Sequence, residues 1–318
     1  MPSSVNGLVS RVAVVQAGSV IYNTAATLDK MDKFVEEAAR ERAELVLFPE
    51  AFIGGYPKTL DFGVNLGLRS EEGREEFAKY FASSITEKGE EAKRIGKTAK
   101  KYNVWIAIGV VERDGSTLYC SVFIFSSSGD LVCKHRKLLP TGLERCVWGR
   151  GDGSTMKVVD SPVGRLATAI CWENYMPLYR TSLYAQGCEV YLAPTVDCRD
   201  VWLPSMQMIA LEGRSFVVSA CQFLRVSDFP DGHSIRSNFP PEHVLISGGS
   251  CAVDPLGRVL LQPDFSGEML RIVQIDHSLI PKARFDMDVS GHYSRPDIFQ
   301  LVVNHAEQKN LVTLTNNH

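Results

Sequence analysis

Residues 11–48 read RVAVVQAGSVIYNTAATLDKMDKFVEEAARERAELVLF, and this stretch decides the fold class. It begins with the β-branched run 11–16 and ends with a second apolar run at 44–48, and both are typical of buried strands. Between the two runs, behind capping residues at Asn23 and Thr24, apolar residues recur at helical spacing: Leu28, Met31, Phe34, Val35, Ala38 and Ala39. Strand, helix, strand in this order predicts a β-α-β unit and an α/β protein.

The same alternation continues along the chain and predicts one domain over residues 1–318 with mixed sheets. A charged helix is expected at 86–102, before a strand at 104–111, and the runs 117–125 and 131–136 predict an antiparallel hairpin around the turn 126–130. Later strands are expected at 165–170, 190–193, 216–220, 250–253 and 259–261.

Composition excludes several classes of protein. Lys plus Arg number 34 against 37 Asp plus Glu, for a net charge of -3, which argues against nucleic-acid and membrane-surface binding. The eight cysteines include no CxxC pair, which argues against the usual zinc sites and suggests reduced thiols. The amino-terminal segment has no run long enough for a signal peptide or a membrane span, so we expect a cytoplasmic protein.

Three apolar, strand-like runs end in a side chain that is ionisable or nucleophilic and so is unusual in a hydrophobic core. They end at Glu50, Lys137 and Cys171. Because ligand sites in α/β sheets gather beyond the strand ends, these side chains are candidates to meet in one cavity.

Cys171 is expected on a sharp strand-to-helix turn, because Asn174 and Pro177 are residues that favour the start of a helix. Such a turn favours the thiolate form, and we interpret Cys171 as a nucleophile. The alternative is a buried structural thiol, which is our interpretation of the other seven cysteines.

The predicted partners of Cys171 each have a structural alternative. Apolar neighbours should raise the pKa of Glu50 and make it a general base, although a lone strand-end Glu is often simply solvated. Strand alternation places Lys137 and His135 on one face and the other two basic residues of 134–137 on the opposite face. Glu144 has capping-box spacing from Thr141, but the glycine-rich residues that follow weaken a purely structural role.

Several motifs together resemble the nitrilase family of the carbon-nitrogen hydrolase superfamily, along nearly the whole chain. They are LFPEAFIGGYP at 47–57, KHRKLLPT at 134–141, ERCVWG at 144–149 with GDGS at 151–154, CWENYMPLYR at 171–180 and GHYSRPD at 291–297. The motif sequences are similar to those of plant and microbial nitrilases that act on aromatic and arylaliphatic nitriles.

This resemblance implies a four-layer α-β-β-α sandwich, a triad of Glu50, Lys137 and Cys171, and a supporting Glu144. It implies hydrolysis of a small nitrile to the carboxylic acid and ammonia through thioimidate and thioester intermediates, without metal or organic cofactor, in a homo-oligomer. Trp172 is a candidate apolar wall for the substrate, and so is Tyr56, although each would by default be a packed core aromatic.

Two features depart from the family pattern. Arg150 stands where the family usually has Gln, which would alter the charge near Glu144. The C-terminal extension, about 285–318, is shorter than the tails of relatives that build spirals, so it leaves filament formation open.

The sequence leaves other functions open as well. An amidase or cyanide-hydratase-like activity would use the same triad, and a Cys-His hydrolase would pair Cys171 with His135 or His292. A binding or scaffold protein with an inert thiol is the non-enzymatic alternative.

Overall fold

The computed structural model describes residues 9–309 and 311. The strands are β1 Val9–Gln16, β2 Leu45–Leu47, β3 Trp105–Asp114, β4 Thr117–Phe125, β5 Leu131–Arg136, β6 Val159–Ser161, β7 Gly164–Thr168, β8 Val190–Leu192, β9 Phe216–Ser219, β10 Phe223–Arg225, β11 Val244–Ser247, β12 Cys251–Val253, β13 Val259–Leu261 and β14 Met269–Asp276. The helices are α1 Thr24–Arg40, α2 Glu71–Ser83, α3 Glu90–Tyr102, α4 Pro177–Ala185, α5 Trp202–Gly213, α6 Ile235–Asn238 and α7 Leu279–Asp286.

The first sheet contains the predicted β-α-β unit. Its strand order is β14-β1-β2-β3-β4-β5, with β1, β2 and β3 parallel and the β4–β5 hairpin antiparallel. Helix α1 begins after Asn23, whose side chain accepts a hydrogen bond from the Ala26 N–H. The predicted unit and hairpin are therefore confirmed.

The second sheet has the order β13-β12-β9-β8-β7-β6, and its central strands β7, β8 and β9 are parallel. A separate pair, β10 and β11, is antiparallel. Like the first sheet, the second is mixed, as the sequence predicted.

The hydrophobic clusters define four layers. One cluster joins residues of both sheets, including Val122 of β4 and Val218 of β9, and so lies between the sheets. A second packs α1 and α3 on the outer face of the first sheet, and a third packs α4 and α5 on the outer face of the second. This arrangement confirms the predicted α-β-β-α sandwich.

The segment after α7 forms neither helix nor strand as far as residue 309. Part of it lies against the loop at 152–153, where the Gln308 N–H donates to Asp152 Oδ2 at 2.8 Å. The end of the predicted extension, residues 310 and 312–318, lies outside the described residues. Across the part of the chain that is described, no helix is both long and apolar enough to cross a membrane.

Candidate active site

The predicted site residues lie just beyond the ends of three strands, where their side chains come together. Glu50 follows β2, Lys137 directly follows β5, and Cys171 follows β7 of the other sheet. The turns after β2 and β7 each contain a left-handed residue that is not glycine, Ala51 and Cys171, both with φ 49°. This conformation is rare outside glycine and is found at sharp functional turns.

The Glu50 turn packs closely against the neighbouring strand. A Cβ at Gly109 of β3 would lie 2.1 Å from the Pro49 carbonyl oxygen and 2.7 Å from Glu50 Cα. Only glycine allows this approach, so Gly109 sets the depth at which Glu50 is held.

Lys137 lies between two carboxylates. Its Nζ donates to Glu50 Oε1 at 2.7 Å and to Glu144 Oε2 at 2.8 Å. The side chains of Lys137 and Glu50 are fully buried, and that of Glu144 is 8% exposed. One buried ammonium thus compensates two carboxylates.

Burial and neighbouring charge shift the pKa values of this group. Burial alone would lower the pKa of Lys137, but the negative charges around it, above all that of Glu50, hold the pKa well above its ordinary value. The pKa of Glu50 is raised by burial, which outweighs the lowering by Lys137. The raised pKa of Glu50 confirms the expectation from its apolar neighbours.

Cys171 is 4% exposed and carries hydrogen-bonding partners of its own. The Thr195 hydroxyl donates to its Sγ at 3.2 Å. Burial and the charge of Glu50 nevertheless raise the pKa of the Cys171 thiol, and the positive charge of Lys137 and the bond from Thr195 oppose this only in part. The expectation that the turn favours a thiolate is therefore wrong: the resting thiol is neutral, because desolvation outweighs the local donors.

Glu144 both caps a short helix and binds the Lys137 ammonium. It lies in a short 3₁₀ helix, Gly142–Cys146, and its Oε2 accepts the Thr141 N–H at 2.7 Å as the capping spacing predicted. Its Oε1 accepts the Tyr56 hydroxyl at 2.8 Å. The cap holds the carboxylate in the position from which it also binds Lys137.

The two predicted wall residues lie in different surroundings. Tyr56 is partly buried and packs edge-on against Trp148, with ring centroids 5.8 Å apart. Trp172 is 44% exposed, and its Nε1 donates to Asp197 Oδ2 at 2.9 Å, while the guanidinium of Arg199 lies 5.0 Å from its ring. Their roles toward a substrate remain predictions.

Three contacts at the site involve residues that the sequence did not single out. Thr195 follows β8, and the side chain of Gln222, which follows β9, donates to the Glu50 carbonyl oxygen at 2.7 Å. Both occupy strand ends, so the strand-end argument could have found them. Cys120, interpreted as a core thiol, donates from Sγ to Glu50 Oε1 at 3.5 Å; it lies within β4, where no sequence signal separates it from packing residues.

The other residues that the sequence singled out have surroundings of their own. His135 is buried and its Nε2 lies 3.0 Å from Glu173 Oε2, whereas His292 is exposed. The Arg150 side chain is also exposed. Within the described part of the chain, no group of three or more His, Cys, Asp or Glu residues is arranged to hold a metal ion.

Comparison with known proteins places the chain in a family. The model of the carbon-nitrogen hydrolase family matches residues 11–285. An aliphatic nitrilase of Sinorhizobium fredii is 50% identical over 95% of this chain and 98% of its own length. Nitrilase 2 of Arabidopsis thaliana is 49% identical over 96% and 92% of the two chains, and a bifunctional nitrilase/nitrile hydratase of Nicotiana tabacum is 50% identical over 92% and 85%.

Solved structures share the fold at lower identity. The Caenorhabditis elegans NitFhit protein superposes with a TM-score of 0.73 at 20% identity, over 95% of this chain and 69% of that one. An amidase from Nesterenkonia gives 0.64 at 18% identity, over 87% and 94%. The chain belongs to the carbon-nitrogen hydrolase family, in its nitrilase group, as the motifs indicated.

Proposed function

We propose that this enzyme hydrolyses an organic nitrile to the carboxylic acid and ammonia, with Cys171 as the nucleophile. The observation that carries the proposal is the buried Lys137 ammonium held by both Glu50 and Glu144 beside the Cys171 turn. Two waters are consumed for each nitrile, and the thiol is regenerated.

Activation begins with proton transfer from the thiol. Because the pKa of Cys171 is raised, the resting thiol needs a base, and the raised pKa of Glu50 makes its carboxylate a stronger proton acceptor. Lys137 balances the negative charge as it moves from the carboxylate to the sulfur. The sulfur then forms a bond to the nitrile carbon, and the nitrile nitrogen takes up the proton, giving a thioimidate.

Hydrolysis of the thioimidate takes two further steps. A water activated by Glu50 adds to the thioimidate carbon, and ammonia leaves to give a thioester. A second water attacks the thioester, and the carbon–sulfur bond breaks to release the acid. Lys137 and the backbone N–H of Trp172 would stabilise the tetrahedral oxyanion, and losing one such donor typically costs about 2.7–4 kcal/mol.

Amide formation is the second candidate outcome of the same chemistry. If the tetrahedral intermediate expels the thiolate instead of ammonia, the product is the amide and only one water is consumed. The names of the tobacco relative and of a Lupinus angustifolius relative 49% identical to this chain, each a bifunctional nitrilase/nitrile hydratase, favour testing both products.

We further propose one domain over the whole chain, a cytoplasmic location and a homo-oligomeric assembly. The single domain rests on the four-layer core of the described residues. The location rests on the free cysteines, and the assembly on the family resemblance. Light scattering of the purified protein tests the assembly, and a monomer would contradict it.

A panel of aliphatic, aromatic and arylacetic nitriles tests the proposed function, with ammonia, acid and amide all quantified. We expect equal amounts of acid and ammonia from at least one class, and no turnover by folded Cys171→Ala. A wild-type enzyme that turns over amides and no nitrile would overturn the proposal in favour of an amidase.

A further inference from the structure

Glu173 touches the backbone on both sides of the proposed site. Its Oε1 accepts the N–H of Leu138 at 2.6 Å, and its Oε2 accepts the N–H of Ile170 at 2.7 Å. Leu138 directly follows Lys137, and Ile170 directly precedes Cys171. One carboxylate is therefore bonded to the immediate chain neighbours of both residues.

These two backbone groups follow strands of different sheets. Lys137 and Leu138 leave β5 of the first sheet, whereas Ile170 and Cys171 leave β7 of the second. The Glu173 side chain is fully buried, so the bridge is shielded from water. Its two hydrogen bonds join the Lys137 segment to the Cys171 turn.

A buried histidine and tyrosine complete the bridge. His135 of β5 lies with Nε2 3.1 and 3.0 Å from the two Glu173 oxygens, and stacks on Tyr179 of α4. The Tyr179 hydroxyl donates to the Thr168 carbonyl oxygen in β7 at 2.6 Å, so its proton is used there. His135 Nε2 also lies 3.1 Å from the Tyr179 hydroxyl oxygen. Because that hydroxyl donates elsewhere and the carboxylate can only accept, we assign the ring proton to Nε2, which then donates to Glu173.

We propose that Glu173 is a positioning residue that sets the distance between Lys137 and the Cys171 sulfur. It acts through the backbone of the two segments and does not touch the reacting atoms. The inference rests on the proposed function of that site, and it adds a residue outside the predicted Glu50, Lys137 and Cys171 set.

The geometry requires a carboxylate at this position. Three donors face the Glu173 oxygens: two backbone N–H groups and the His135 ring N–H. A carboxylate offers only acceptors, so it satisfies all three. In Glu173→Gln, one oxygen is replaced by an NH₂ group. This group is a donor and lies opposite a backbone N–H, which is also a donor, so one of the two segments must move. Glu173→Asp keeps both acceptors on a side chain one methylene shorter.

The test compares these variants with a matched control. Asp254 is another buried carboxylate, and its Oδ1 accepts two backbone N–H groups, from Leu256 and Arg258, in a turn between β12 and β13. Asp254→Asn makes the same chemical change away from the site. For each variant we would measure the thermal unfolding midpoint, kcat and KM, and the rate at which iodoacetamide alkylates Cys171, followed by peptide mass spectrometry between pH 6 and 9.

For Glu173→Gln we expect kcat to fall about 100-fold with little change in KM, because a shift near 1 Å has this effect on positioned groups. The alkylation rate of Cys171 should fall and its pH profile should move to higher pH. The reason is that the thiol would lie farther from the Lys137 ammonium, whose charge lowers the thiol pKa. Glu173→Asp should recover part of kcat, and Asp254→Asn should change stability alone. If Glu173→Gln does not fold, the test uses folded Glu173→Asp, in which a reduced kcat supports the inference.

Wild-type kcat and alkylation rate in the folded Glu173 variants would overturn the inference, as would equal losses in Asp254→Asn. If the wild-type enzyme turns over no nitrile, the proposed function fails on its own. The alkylation profiles then decide the role of Glu173 without reference to turnover.

Discussion

The Lys137 ammonium donates to Glu50 Oε1 at 2.7 Å, although the two residues are separated by 87 positions in the chain and both side chains are fully buried. Glu144 shares the same ammonium at 2.8 Å. Removing the one cation would leave two carboxylates without a counter-charge in the interior. The same buried charges therefore contribute to the stability of the fold and form the proposed active site.

Lys137→Met should abolish turnover and lower the free energy of unfolding by about 3–5 kcal/mol, the usual effect of removing one partner of a buried pair. Urea unfolding followed by circular dichroism measures the loss. The double variant Lys137→Met with Glu50→Gln removes one of the stranded charges, so it should regain stability without regaining activity. A single variant as stable as wild type would show that the ion pair contributes nothing.

The acid side of the pH profile should depend on Glu50. In the proposed mechanism only the ionised Glu50 accepts the thiol proton. Because burial raises the pKa of Glu50, kcat/KM should decline at a higher pH than the ordinary Glu value of about 4.3. As the pH falls through the raised pKa, Glu50 becomes protonated and the base is lost. Initial rates at saturating and limiting nitrile, with circular dichroism to establish folding at each pH, test this; undiminished activity in folded enzyme at pH 4 would contradict it.

Thr195→Val should slow alkylation of Cys171 at neutral pH. The hydroxyl donates to Sγ at 3.2 Å and lowers the thiol pKa, so its removal raises that pKa further and reduces the thiolate fraction. Thr195→Ser keeps the donor and serves as the matched control. Equal alkylation rates in the Val and Ser variants would exclude this role for the hydroxyl.

Tyr56→Phe should destabilise the protein by about 1–3 kcal/mol, because Glu144 Oε1 loses a donor in a nearly buried place. Tyr175→Phe is the control, since the Tyr175 hydroxyl makes an exposed contact with Ser205 at 3.1 Å. Chemical denaturation of both variants measures the difference. Identical unfolding free energies would show that the Tyr56 bond is replaced by water.

Much of the fold could be predicted from local patterns. The apolar runs at 11–16 and 44–48 form β1 and β2, because strands buried on both faces read as continuous apolar sequence. Helix α2, Glu71–Ser83, was not predicted: few of its residues are buried, so its apolar periodicity is weak. The pairing of the second sheet also depends on contacts between distant segments that no local pattern encodes.

The grouping of the candidate site residues was predictable where a strand end carries an unusual side chain. Glu50, Lys137 and Cys171 stand at such ends, but the protonation of Cys171 was predicted wrongly, because a turn can be recognised in sequence and the depth of its burial cannot. Glu173 was not singled out, although it lies in the motif at 171–180, because its partners are the backbone N–H groups of Leu138 and Ile170, which any residue except proline carries.

Peptide mass spectrometry of acid-quenched turnover tests the central claim most directly. During hydrolysis of a competent nitrile, we expect the mass of the substrate-derived acyl or imidoyl group on the peptide that contains Cys171, and its absence in Cys171→Ala, which should also release no ammonia. An adduct on a different cysteine, or ammonia release by Cys171→Ala at the wild-type rate, would contradict a covalent mechanism at this thiol.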